Sequence, residues 1–579
     1  DHGAGTDRRS SAATATDQPP DASPRHRTRR RPPKHPIRPT KEEDKLSRNH
    51  APHRRHTLVA IAAIAMLLST LFGTAAAQVV GGRLVIGRST PPSTLDAQKT
   101  GEVAAYDVLA LVGGALVAAD PETLAVIPAL AESYELSGDS LTYTFHLKQG
   151  VKFHNGDPLT AADFKYTFER ALDPATESVV SGDLLSAVSS IEAPDASTLV
   201  ITLDGPSPVF LRNLGSAYLQ PLSKRAVESL DPGQHPVGVG PYRFKEWVAG
   251  YSITLERNPD FAWPTSPYAN RGPAYPDEIE FRYIPEQGTL VAALEVGEVD
   301  LAGVTAGDLF LFDGNPNFYV YSSLRTGIGR LFLFNMNDPV MADLRVRQAF
   351  SHAVDKQFFI DTLVEGRAIP ATSALPPSLP GYDPATADTD YDFDREAAAR
   401  LLDEAGWKLG AGGVREKDGQ KLTVRIVAYT DTAVMLASEL LQSQLKAIGV
   451  DATLESYERS LQMPMLIEGD FQIAPLGWAY DDPDILYILY HSSQHPNGLN
   501  LGAVSDPTLD KALEAGRTTV DDAQRMLAYH DAQRIINEEA YIIPVYIEEI
   551  YTVSRNNVHG LRFDALGGMM LHDVWVQDR

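Results

Sequence analysis

Between residues 422 and 456 the apolar pattern changes period twice, which constrains the fold more than any other stretch of the chain. Leu422, Val424, Ile426 and Ala428 alternate with other residues, the period of a half-buried strand. Ala437, Leu441, Leu445 and Ile448 then recur at helical spacing and stop at Gly449, a residue that suits a helix C-terminus. Val450, Ala452 and Leu454 alternate again. Strand, helix and strand with short connections form a βαβ unit, so a parallel sheet is expected here.

Other segments extend this α/β reading. Leu141, Tyr143, Phe145 and Leu147 alternate as a strand. Asn155-Gly156, after Val151 and Phe153, carries the composition of a type I′ turn. Thr160 with Asp163 predicts a capping box for a helix whose apolar side is Phe164, Phe168, Ala171 and Leu172. Ala398, Leu401, Leu402 and Ala405 predict another helix, stopped by Gly406. Gly412-Gly413 and Asp418-Gly419 bracket a short hairpin, and residues 541–547, YIIPVYI, read as a buried strand. A chain of 579 residues exceeds what one core supports, so two to four domains are expected.

Charge separates the head of the chain from its body. Residues 1–77 hold 14 of the 51 Lys+Arg but only 7 of the 76 Asp+Glu, leaving 37 basic and 69 acidic residues beyond. A body this acidic repels phosphate backbones, which argues against nucleic acid as a partner. Residues 1–55 read as a disordered basic extension. Residues 56–77 combine a short apolar run with Ala75-Ala76-Ala77 after Arg54-Arg55, the parts of a cleavable export signal. An uncleaved anchor is the other reading of the same run, and RRHTL weakly resembles a twin-arginine signal. With no cysteine, disulfides, thiolate metal sites and a lipidated cysteine are excluded. A free, soluble protein in the periplasm is expected.

Residues 477–484, GWAYDDPD, place three carboxylates beside two aromatic rings. Asp481 and Asp482 are adjacent, so in extended chain they point to opposite faces rather than at one scissile bond. A calcium loop wants acids at alternating positions around a glycine, and Pro483 breaks that pattern. His491 and His495 could share a metal only if helical, which Pro496 opposes. No phosphate-binding, dinucleotide, zinc-protease or serine-hydrolase motif occurs in the sequence. No cofactor and no catalytic residue is assigned.

Several blocks, in order, resemble the extracytoplasmic solute-binding proteins of ABC importers, family 5, the class of dipeptide- and oligopeptide-binding proteins. They are residues 141–172, PVGVGPYRFKEW (236–247, with Val239 where Thr is usual), Asn258-Pro259-Asp260, Gly297-Glu298-Val299-Asp300, 331–356, LLDEAGW (401–407) and GW-x-x-D (477–481). The resemblance implies a two-lobed α/β periplasmic-binding-protein fold with an extra subdomain in lobe one. Lobe one would comprise 78–335 and a return segment 550–579, lobe two 336–549, with hinge strands at 331–335 and after 547.

It also implies ligand binding by Trp478 and Asp481, with Gly477 and Tyr480 beside them, and Asp481 pairing with a peptide's α-ammonium. Asp482 and Asp484 are expected to face solvent or cap a helix. Phe145, Phe153, Tyr242 and Phe334 are expected in the core. The implied partners are a short peptide, the importer's membrane permease and its cytoplasmic ATPase, with the receptor itself a monomer. Relatives that take an oligosaccharide, a nickel complex or haem share these blocks. A secreted carboxylate-dependent hydrolase is the reading from another class.

Overall fold

The computed structural model describes residues 78–577 except Ala479 and Asn497. The expected basic extension and export signal lie outside the described residues.

The βαβ unit is present. Strands Thr423–Tyr429 and Asp451–Tyr457 run parallel in unbroken register from Thr423 opposite Asp451 to Tyr429 opposite Tyr457. Helix Thr432–Ala447 joins them, its first turn capped by the Asp431 side chain accepting from the Val434 N–H. Gly449, at φ 88°, turns the chain into the second strand. Alternation then divides the strand between two cores: Val424 and Ile426 lie in one apolar cluster and Val427 in the other. The first cluster is covered by helices Leu344–His352, Lys356–Leu363, Arg395–Glu404 and Thr432–Ala447. The second is covered by Arg459–Glu468, Ile485–Tyr490, Pro507–Thr518 and Asp522–Glu538. A sheet buried on both faces needs the apolar runs that this segment carries.

Among the described residues the largest sheet has twelve strands. Its main path runs Asp451–Tyr457, Thr423–Tyr429, Ile473–Trp478, Ile328–Phe334, Ile542–Arg555, Leu301–Val304, Arg83–Arg88, Glu278–Tyr283, Ser252–Arg257 and Tyr242–Val248. The 14-residue strand Ile542–Arg555 belongs to both halves. Its start pairs with Ile328–Phe334, and its end pairs with Leu301–Val304 and Phe318–Leu324. The second half repeats the layering, with Leu84 and Ile86 in one core and Val85 in the opposite one. This is the two-lobed, mixed α/β arrangement expected.

A separate four-stranded antiparallel sheet, ordered Ala131–Leu136, Thr142–Leu147, Thr198–Leu203 and Val188–Glu192, packs with helix Ala161–Leu172. The Thr160/Asp163 capping box forms as expected. Phe164, Phe168 and Ala171 are buried, whereas Leu172 is 37% exposed; it lies at the helix's last position, where the apolar face has left the sheet. The Asn155-Gly156 turn also differs from expectation. Only Gly156 has positive φ, and its N–H bonds to Phe153 O at 2.8 Å. The chain therefore turns through His154 and Asn155 and closes on a left-handed glycine, which is not type I′ geometry.

The recognisable blocks meet at one junction. His154 N–H donates to Gly238 O at 2.9 Å, and its Nε2 lies 3.1 Å from Gly240 O. Asn258 Nδ2 donates to the same Gly240 carbonyl at 3.0 Å. Gly238 and Gly240 lie against the end of helix Val103–Val112, where a Cβ would come within 2.0 Å of Val112 O and 2.2 Å of Leu111 O. Phe145, Phe153, Tyr242 and Phe334 are all buried, as expected of core residues.

Candidate ligand-binding site

Strand Ile473–Trp478 carries the GWAYDDPD segment out of lobe two. It runs parallel to Thr423–Tyr429 and antiparallel to Ile328–Phe334, and burial fades at Gly477 and Trp478. Its carboxyl end lies on the same side as Tyr429 and Tyr457. Open α/β sheets place ligands outside the carboxyl ends of their parallel strands. Beside it, the register slips between Ile328 and Leu331. A Cβ at Gly329 would lie 2.9 Å from Tyr546 O, so this bulge needs a residue without one. The next residue, Arg330, reaches past Gly477 to Glu548, which it contacts at 2.9 Å together with Arg325 at 2.7 Å.

Trp478 and Tyr480 are half-buried and pack on the apolar cluster of lobe two. Burial, then the neighbouring Asp484, Asp482 and Asp481, push the Tyr480 hydroxyl up to about 12, so it stays protonated.

The three aspartates have three different environments. Asp482 is buried and ion-paired with Arg525, itself only 2% exposed. Its Oδ1 also accepts the Asp484 N–H at 2.9 Å. Asp484 is buried too, holding Arg517 at 2.7 Å and accepting from Tyr529 OH at 3.1 Å. The Arg517 guanidinium lies 3.6 Å over the Tyr487 ring, which stacks on His491 at 4.1 Å. The expectation that Asp482 and Asp484 face solvent or cap a helix is thus corrected in its first part: both are buried, and Asp484 stands at the N-cap of Ile485–Tyr490 without a side-chain capping bond. Two arginines on helices Pro507–Thr518 and Asp522–Glu538 draw these carboxylates inward, and a buried charge persists only when so paired.

Asp481 is left over. Its residue surface is exposed, yet its carboxyl is pushed above the usual range, first by burial and then by Asp482, with Arg212 opposing. The Asp481 side chain makes no hydrogen bond or ion pair with another described residue.

Tyr106 and Arg212 lie within electrostatic reach of Asp481. Tyr106, on helix Val103–Val112, has its hydroxyl pushed up by burial, and Asp481 and Asp564 add to the shift. Tyr218 meets Tyr106 edge-on at 5.2 Å and donates to Glu102 O at 3.2 Å. Arg212 stands on the short helix Phe210–Asn213. Sequence reading missed Tyr106, Arg212 and Tyr218, because no local pattern links them to residue 481.

His491 Nδ1 lies 2.7 Å from Ser493 Oγ, and no group of three or more His, Cys, Asp or Glu able to hold a metal occurs among the described residues.

A bilobal, mixed α/β body on a shared sheet is the architecture of a solute-binding protein. The chain belongs to the bacterial extracellular solute-binding proteins, family 5, whose model matches residues 125–500. It is 30% identical over 438 residues to a protein of Brucella ovis named as an ABC transporter peptide-binding protein, covering 73% of this chain and 79% of that one. It is 28% identical over 555 residues to di/tripeptide-binding protein 1 of Pseudomonas aeruginosa, covering 90% and 99%. The solved structure of HbpA2 from Haemophilus parasuis superposes with a TM-score of 0.77 at 26% identity, covering 86% of this chain and all of that one.

Proposed function

We propose that this chain captures short peptides outside the cytoplasm and delivers them to the membrane permease of an ABC importer, catalysing no reaction. The observation that carries the peptide reading is Asp481. Of three clustered aspartates it alone lacks a cationic partner among the described residues, and the half-buried Trp478 and Tyr480 precede it in the chain. A buried ammonium loses hydration worth several kcal/mol, which a carboxylate in contact offsets. Such a charge-assisted bond holds one end of a peptide whatever its side chains.

The lobes are 78–335 with 550–579, and 336–549; the crossing strand Ile542–Arg555 and the segment 331–335 supply the hinge. Ligand contacts made from both lobes favour closure only by their differential affinity for the closed form. The receptor acts as a periplasmic monomer that the permease reads when closed.

The test is a thermal-shift screen of the purified chain against short peptides, oligosaccharides and nickel or haem complexes. Peptides raise the melting temperature of wild type, and Asp481→Ala removes the rise. A rise with an oligosaccharide or metal complex alone overturns the peptide assignment. Turnover of the bound compound overturns the non-catalytic one.

A further inference from the structure

One cleft shares no residue with the site around Asp481. It lies where the four-stranded subdomain meets the loop that follows strand Ser252–Arg257. It is open, about 850 Å³ in volume, and its lining includes Glu132, Lys148, Lys152, Asp260, Trp263 and Arg271. Glu132 stands on strand Ala131–Leu136, and Lys148 follows strand Thr142–Leu147, its backbone N–H donating to Leu130 O at 2.9 Å. Trp263 anchors the loop: its ring packs against Phe261 and the subdomain's apolar core, and its indole N–H donates to Val239 O at 2.9 Å.

The charges of this cleft do not cancel. On the neighbouring strands the cations are held by carboxylates: Arg83 by Glu280, Arg243 by Asp260, Lys245 by Glu278 and Arg257 by Asp277. Lys148, Lys152 and Arg271 have no ion pair with any described residue. Arg271 donates to the Thr265 and Ser266 carbonyls at 3.2 and 3.0 Å, bonds that fix its guanidinium without neutralising it. Asp260 is already taken by Arg243, so Glu132 is the one carboxylate of this lining outside an ion pair with a described residue. Three cations against one carboxylate leave an excess of two positive charges, on a body with 37 basic and 69 acidic residues. Lys148 is half-buried; burial lowers its pKa, Glu132 opposes that shift and Arg271 adds to it. Cations gathered on a partly desolvated concave wall are stabilised by an anion placed among them.

We propose that this cleft binds the phosphate group of a small phosphorylated ligand through Lys148, Lys152 and Arg271, with the ligand's carbon skeleton against Trp263. A phosphate monoester carries about −1.5 to −2 charges at pH 7, which matches the excess, whereas a carboxylate carries only one. Arg271 presents a planar fork of donors and the lysines compact point charges, and phosphate oxygens accept from both. Trp263 offers apolar surface, its one polar atom being spent on Val239. A soluble ester and a lipid headgroup present the same group, and the test separates them.

Glucose 6-phosphate, glucuronate and glucose are titrated calorimetrically into the purified chain at low and high salt. The chain is also sedimented with phosphatidylcholine vesicles that contain or lack phosphatidic acid. Wild type binds glucose 6-phosphate about 10-fold or more tightly than the other two sugars, and less tightly as salt rises. Lys148→Gln with Lys152→Gln weakens the phosphate ester about 10- to 100-fold, the range of hydrogen bonds to charged groups. Melting temperature is unchanged in this double variant, since neither side chain has an ion pair to lose. Glu132→Gln tightens binding, and Lys421→Gln, at an exposed cation of lobe two, leaves it unchanged.

Sedimentation with phosphatidic acid, lost in the double variant, identifies a lipid headgroup as the source of the phosphate; binding of the ester without sedimentation identifies a soluble ligand. The inference is overturned if neither the ester nor the vesicles bind, or if glucuronate binds as well as the phosphate ester. It is equally overturned if Lys421→Gln weakens binding as much as the double variant, because charge in general would then be responsible. None of these results bears on Asp481.

Discussion

Asp481 and Asp482 are neighbours, yet replacing their charges is expected to have opposite consequences. Asp482→Asn keeps the shape of the side chain and removes its charge. It leaves the Arg525 guanidinium, 2% exposed, without a counter-ion and with only neutral acceptors, the new amide oxygen and Gly516 O at 3.1 Å. Breaking one side of a buried pair costs about 3–5 kcal/mol. At about 2–4 °C per kcal/mol for a folding unit the size of lobe two, melting falls by roughly 6–20 °C. Asp481→Asn removes a carboxyl that the fold holds above its usual pKa, so it leaves unliganded stability unchanged or slightly raised. Melting curves of the two variants without ligand at pH 7 make the comparison. The double substitution Asp482→Leu with Arg525→Met recovers most of the loss, since an apolar pair of similar volume replaces a buried ion pair well. Equal destabilisation by Asp481→Asn and Asp482→Asn would refute the division of labour described here.

Further outcomes follow from the same structure. Burial lowers the His154 pKa from 6.5 to about 4. The unfolded chain therefore binds the extra proton first, and stability falls as pH drops from about 6.5 towards 4, by at most about 3 kcal/mol for this partly buried ring; urea titrations at pH 7 and 5 show the fall, and His154→Gln abolishes this part of it. Burial raises the Glu548 carboxyl and Arg330 with Arg325 more than reverse that, leaving its pKa lowered; its contribution is complete above the unfolded value and lost as pH falls through the folded one, and Glu548→Gln removes this acid-side loss. Leu441, fully buried beneath the lobe-two sheet, costs about 2–5 kcal/mol on change to alanine, measured by urea unfolding. Gly238→Ala would drive a Cβ to 2.0 Å from Val112 O, and its melting temperature falls without any direct change at Asp481.

The legible parts of the fold were those encoded by neighbours in sequence. The 422–456 alternation, the Thr160/Asp163 box and the glycine stops at 406 and 449 each act within a few residues. The family blocks were legible for a related reason. Gly238, Gly240, His154 and Asn258 form a junction that tolerates no added atom or lost hydrogen bond, so the pattern marks architecture rather than ligand. The site was half legible. The neighbours Asp481 and Asp482 differ in environment, one exposed and one buried, but the arginines that bury Asp484 and Asp482 lie 33 and 43 residues further on. Nothing local marks Arg517 and Arg525 as their partners. Tyr106 and Arg212 were invisible because they stand far earlier in the chain and no local pattern links them to Asp481.

The central claim is that Asp481 seats the ammonium of a peptide. Calorimetric titration of wild type and Asp481→Asn at pH 7 with one tripeptide and its N-acetyl twin tests it most directly. The account predicts that acetylation weakens binding to wild type by about 10-fold or more, and that Asp481→Asn binds the free and acetylated forms alike. Equal binding of the two forms by wild type, or full discrimination retained in Asp481→Asn, would contradict it.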